Sequence, residues 1–176
     1  MNKYLNDITT IIRDCSMVNS YKMSWIRSIV EYCSKNPKSS IIHFDDLSRL
    51  IFKYYWNQTI YFNLQQGSNP NQQPEIFQIV VKEIEKYQKK YNFKPIFFTK
   101  VENRLDLNIK RISKILTQDV SWRFQKVGNK NYDLYTLDFN ELKIEIHQPE
   151  IIRQYSEILF ELINHRWTQE LEKYNS

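Results

Sequence analysis

The chain has 176 residues, 41% hydrophobic and 15% aromatic, which is enough apolar side chain for a packed domain and too much for a disordered tail. Its 25 Lys and Arg exceed its 20 Asp and Glu, and the formal net charge of +5 favours anionic partners over cationic ones. Two glycines exclude a P-loop or a dinucleotide fold. The absence of a long apolar run or a signal-peptide core predicts a cytoplasmic protein with no membrane partner.

The sequence contains no alanine, so the core must be built from Ile, Leu, Phe, Tyr and Trp. Leu5, Ile8, Ile11 and Ile12 fall on helical spacing and predict a first helix over 2–15. Asn19 or Ser20 caps a second helix with Met23, Trp25, Ile26, Ile29 and Val30 on its apolar face, closed by Asn36-Pro37. Ile41 to Phe44 reads as a short extended piece. Asp45 then precedes Leu47, Leu50, Ile51 and Tyr54, a third helix running to about residue 56 or beyond. Residues 65–74 (QQGSNPNQQP) form the clearest loop. Pro74 starts a long helix with Ile76, Ile79, Val80, Ile84 and Tyr87 on one side and Lys82, Lys86, Lys89 and Lys90 around the rest. Pro95 to Phe98 reads as a short buried segment or strand. Asp106 or Asn108 caps a fifth helix using Ile109, Ile112, Ile115 and Leu116. Tyr132–Leu137 and Leu142–His147 alternate in period two and predict an antiparallel hairpin. Pro149 opens one last helix whose buried stripe is Ile152, Tyr155, Leu159, Leu162, Ile163 and Trp167.

The fold class that results is mainly α with a small β-hairpin, an α+β helical domain whose turn, helix and hairpin suit a winged-helix arrangement. Residues 1–176 read as a single domain, with a helical half 1–92 and a second half 93–176 as the alternative division. Cys15 and Cys33 sit in helical patterns and read as buried free thiols, a disulfide between them being the lesser alternative.

No catalytic residue is assigned. His43, His147 and His165 lie in three elements without metal-ligand spacing, and no Ser or Cys nucleophile motif occurs. Asp133, Asp138, Glu141 and Glu145 with Lys143 resemble the acidic tail of a magnesium-dependent nuclease strand, but alternating charges are also what any exposed strand face carries. The basic clusters are more informative. Lys110, Arg111 and Lys114 fall at i, i+1 and i+4, so one helix face can follow phosphates. With Lys86, Lys90, Arg123 and Lys126 they make up the candidate nucleic-acid-binding set. Phe52, Tyr54, Tyr55, Trp56, Tyr61 and Phe62 crowd one region and read first as core, with base stacking as a second use.

The block Tyr54-Tyr55-Trp56-Asn57-Gln58-Thr59 and Tyr61 to Asn71 resembles the N-terminal region of bacterial HNH-endonuclease domain proteins, with Tyr55, Trp56, Asn57, Gln58, Gly67, Asn69 and Pro70 as its most distinctive positions. The resemblance extends to Ser20–Met23, to Asp119–Phe124 and to the stretch from Leu159 to Trp167. It implies an accessory domain for DNA recognition in restriction or phage defence. In that family the HNH segment, with its divalent metal, follows this region. The chain ends at Ser176 before one, so no metal ligand or cofactor carries over, and an excised domain or the loss of the nuclease half is expected. DNA is the partner the resemblance implies. A dimerisation module, or a regulator that grips a partner nuclease, is the alternative.

Overall fold

The computed structural model describes residues 2–176. Asn2 caps helix α1 (Lys3–Asp14) by accepting the Leu5 amide at 3.1 Å. Ile8, Ile11 and Ile12 are fully buried along its inner stripe. Each is worth roughly 2–3 kcal/mol of apolar burial. At the other end of α1, Arg166 donates to the carbonyls of Ile12, Arg13 and Cys15, all left without helical partners. Helix α2 (Tyr21–Lys35) ends at Asn36, before Pro37. Strand β1 (Ile41–His43) leads directly into α3 (Phe44–Phe62), which stops where Asn63 turns left-handed at φ 50°.

After the 63–74 loop, α4 (Glu75–Lys90) begins one residue past Pro74, which occupies the cap position. The segment 95–98 contains no strand and is buried only in part, with Ile96 packed against the core and Phe98 fully buried. Pro95 and Phe97 are exposed, and Phe98 starts the short helix α5 (Phe98–Val101), followed by a single 3-10 turn, Glu102–Arg104. Helix α6 (Ile109–Gln118) follows Asn108, with α7 (Val120–Arg123) behind it. A two-stranded ribbon, β2 (Lys126–Val127) and β3 (Lys130–Asn131), turns through Gly128 at φ 59° and Asn129. The predicted hairpin is present as β4 (Tyr135–Asp138) and β5 (Lys143–Ile146). The last predicted helix is two: α8 (Pro149–Gln154) and α9 (Ser156–Tyr174), broken at Tyr155.

The sheet explains how the two ends of the chain meet. Its order is β1-β5-β4, with Ile42 opposite Ile144, so a strand from before α3 edges a hairpin from after α6. Between them α3 packs across α6, where Ser48 and Ser113 hydroxyls meet at 2.8 Å. Small polar side chains at that crossing let the two backbones approach. One continuous apolar cluster reaches from Tyr4 to Trp167, and the fold is mainly α with a small antiparallel sheet, as the spacing predicts. Cys15 and Cys33 are buried free thiols, and burial pushes the Cys33 thiol up to about 12. Among the described residues, no helix is long and apolar enough to cross a membrane.

Candidate nucleic-acid interface

Helix α6 has a buried stripe of Ile112, Ser113, Ile115 and Leu116, and this turns Lys110, Lys114 and Gln118 outward at i, i+4 and i+8. Two of the three predicted phosphate followers on this helix are not free. Lys110 donates to Asp45 at 2.6 Å, and Arg111 donates through Nε to Glu75 at 2.7 Å. The Lys110 ammonium, helped by the Ser113 hydroxyl against some burial, holds the Asp45 carboxyl below its ordinary range. Lys114 is exposed and makes no ion pair among the described residues.

Arg111 also lines a groove of about 530 Å³ between α4 and the start of α6. Lys82, Lys86 and Arg111 share its lining with Glu75, Glu83 and Asp106, so the groove itself is balanced rather than cationic. Lys86 lines that groove, and Lys90 extends the same helix to the Tyr91 ring, 5.5 Å from its centroid.

The third cluster surrounds Trp122. Arg123 lies 5.0 Å and Lys126 5.6 Å from the indole centroid, and Arg123 is also paired with Asp119 at 2.6 Å. Lys130 covers Tyr132 at 4.8 Å. The exposed Gly128-Asn129 tip between Lys126 and Lys130 makes this ribbon the projecting element. The β4–β5 hairpin is tied to the start of α3, although its turn residues 139–141 are exposed. The Leu142 carbonyl accepts from Phe44 N at 2.9 Å, and Phe139 is set edge-on to Phe44 at 6.5 Å. A Gly-Asn pair between two strand-compatible residues is a recognised two-residue hairpin signal, and it marks the ribbon in the sequence.

The acids of the β4–β5 hairpin do not assemble a site. Asp138 Oδ1 accepts the amides of Asn140 and Glu141 and so fixes the turn. Asp133 instead approaches His147, whose Nδ1 lies 3.4 Å from its carboxylate. Among the described residues, no three His, Cys, Asp or Glu side chains converge as metal ligands would.

The residues that carry the family resemblance are architectural. Gln66 is fully buried, and both polar atoms of its side chain are hydrogen-bonded. Its Oε1 accepts from the Ser20 hydroxyl at 2.6 Å and the Trp167 indole at 3.1 Å, and its Nε2 donates to Gln58 at 2.6 Å. Tyr55 joins through Ser20 at 2.8 Å, and burial pushes its phenol up to about 12. Trp56 donates to the Ile96 carbonyl and Asn57 accepts the Phe98 amide, both at 2.9 Å. Gly67 lies where an added Cβ would meet the Pro74 ring at 3.0 Å. Asn69, next to Pro70, turns the loop by accepting the Asn71 amide at 3.0 Å. Segments at 20–23, 54–59, 61–71 and 159–167 thus meet around one amide.

Comparison with protein-family models, with curated proteins and with solved structures returned no match.

Proposed function

We propose that this chain is a DNA-binding accessory domain that holds duplex phosphates and leaves bond cleavage to a separate HNH-type segment with its own divalent metal. Charge segregation carries the reading. Residues 82–130 contain thirteen basic and five acidic residues, whereas the remaining residues contain twelve basic and fifteen acidic. The positive surplus therefore lies wholly in α4 to β3. Among the described residues, Lys82, Lys86, Lys89, Lys90, Lys94, Lys100, Arg104, Lys114, Lys126 and Lys130 make no ion pair. Cations left unneutralised in one stretch are available to phosphates and to the counterion release that drives such binding.

The connectivity supports the same reading. Strand β1 edges the returning β4–β5 hairpin and α3 packs across α6, a strand, helix, helix and hairpin skeleton like that of a winged helix, but with α4, α5, α7 and the β2–β3 ribbon inserted into it and the ribbon in the wing's place. The resemblance to HNH-endonuclease proteins supplies the setting, restriction or phage defence in the cytoplasm.

Fluorescence anisotropy with a labelled duplex of about 20 base pairs tests it. Affinity should fall steeply with salt, with a log–log slope of about −0.9 per phosphate contact. The combined K86A/K90A/K114A/K126A variant should bind at least about tenfold more weakly at low salt and flatten that slope by about three. A K3A/K173A control, outside the cationic stretch, should bind as the parent. Absence of duplex binding at low salt, or a quadruple variant that binds like the parent, overturns the proposal.

A further inference from the structure

Large aromatic rings stand in solvent at the end of α3 and in the segment that follows α4. Phe62 is 71% exposed, Phe97 53% and Phe93 73%, with Tyr61 and Tyr91 each partly open. Tyr61 bridges the first two, its ring centroid 5.0 Å from Phe97 and 6.4 Å from Phe62. Phe97 is not a loose loop residue. The backbone before it is held by the Trp56 indole on the Ile96 carbonyl, and the backbone after it by Asn57 on the Phe98 amide. Its own carbonyl accepts the Lys100 amide at 3.0 Å. Clamped on both sides, the ring is fixed facing outward, and its ordering cost is met before any partner arrives.

The segments that carry the rings are one-sided in charge. Residues 54–74, which supply Tyr61 and Phe62, contain no charged side chain at all. Residues 86–101, which supply Tyr91, Phe93 and Phe97, contain five lysines and no carboxylate. Arg104 and Lys90 both sit over the Tyr91 ring, at 5.2 and 5.5 Å. Fixed rings in segments whose own charged side chains are all lysines match an unpaired strand, whose bases stack on aromatic faces while its phosphates meet lysines. In a duplex the bases are already stacked and offer no free face.

We infer that the Tyr61–Phe62–Phe97 cluster is a stacking platform for single-stranded DNA next to the duplex-gripping cations. The inference rests on the DNA-binding reading above and adds that the chain engages DNA where the strands are parted.

The test measures binding of labelled oligothymidylate of about 20 nucleotides, the same length of oligouridylate, and a blunt duplex. The proteins are the parent, F62A/F97A and F62L/F97L. All changed side chains are exposed, and far-ultraviolet circular dichroism verifies the fold. Single-strand affinity should fall about tenfold or more in both variants while duplex affinity stays within about twofold. Leu keeps the apolar surface and removes the ring, so equal loss in the two variants identifies stacking. Duplex binding with single-strand affinity unchanged in the variants overturns the platform alone. Ring-dependent single-strand binding without duplex binding overturns the duplex reading and leaves the platform. No binding to either overturns both. Ring-dependent preference for the RNA strand, or self-association in sedimentation that F62A/F97A abolishes with single-strand binding untouched, overturns the assignment in favour of RNA or of a second copy of the chain.

Discussion

The cluster of α2, α3 and α9 anchors its cations, whereas ten of the thirteen in the α4–β3 stretch make no ion pair among the described residues, Lys110, Arg111 and Arg123 being the exceptions. On the first, positive charge is anchored. Glu31 of α2 is buried and receives Lys53 at 2.5 Å, Lys35 at 3.1 Å and the Tyr54 hydroxyl at 3.0 Å, with Arg27 at 3.6 Å. Arg166 of α9 commits its guanidinium to three carbonyls at the end of α1, those of Ile12, Arg13 and the capping Cys15, and to Glu170. On the second side, Lys86, Lys89, Lys94 and their neighbours are exposed without acid partners among the described residues. A basic residue count cannot separate these two uses of lysine and arginine. The position of the carboxylates does.

The largest effect is expected where anchoring is broken. Glu31→Gln removes the counter-charge of Lys53, whose side chain is also largely buried, and should destabilise the protein by about 3 kcal/mol in urea denaturation. Burial disfavours the Glu31 charge, but hydrogen bonds from Lys53 and Lys35 outweigh it and hold the carboxyl below its ordinary value of 4.5. The folded state therefore binds this proton less readily than the unfolded chain. The stabilisation is complete above that ordinary value and disappears as pH falls through the depressed folded value. The parent and Glu31→Gln curves should converge on acidification. Parallel curves, or a loss under about 1 kcal/mol, would show that the cluster is not structural.

Next in size is the Gln66 hub. Gln66→Leu nearly keeps the volume but strands the buried Trp167 indole N–H, leaves the Ser20 hydroxyl with Tyr55 alone and unpairs the half-buried Gln58 amide. A loss of about 2–3 kcal/mol follows from leaving buried polar groups unpaired. Thermal unfolding followed by Trp fluorescence measures it. A neutral substitution would mean that the four resemblance segments do not depend on this amide.

Local pattern revealed the elements of the fold and missed its long-range pairings. Helices α1 to α4 and α6 were legible because their apolar residues recur at helical spacing. The break at Tyr155 was not, because no Gly or Pro marks it and the apolar stripe runs on from Ile152 to Leu159. The pairing of β1 with β5 joins residues about a hundred positions apart, which no local pattern reports. The same limit governs the candidate site. The spacing of Lys110, Arg111 and Lys114 correctly put them on one helix, but the acids that neutralise the first two lie 65 and 36 residues away. Asn57 and Trp56 stood out in a motif, yet their task of clamping Phe97 depends on a segment 40 residues downstream.

The smallest expected effect is the sharpest check on the comparison. If the α4–β3 cations serve a partner rather than the fold, removing them should hardly change stability. K86A/K89A/K94A should shift unfolding by less than about 0.5 kcal/mol, the range of exposed substitutions that touch no cap or buried group. A slight gain is physically reasonable, because the three lysines lie within one acid-free stretch and repel each other at low salt. The gain should shrink as salt screens that repulsion. Thermal melts of parent and variant at two ionic strengths measure both quantities. A loss above about 1 kcal/mol would mean that these lysines, like Lys53 and Arg166, are tied into the fold, and the two sides of the molecule would no longer differ in kind.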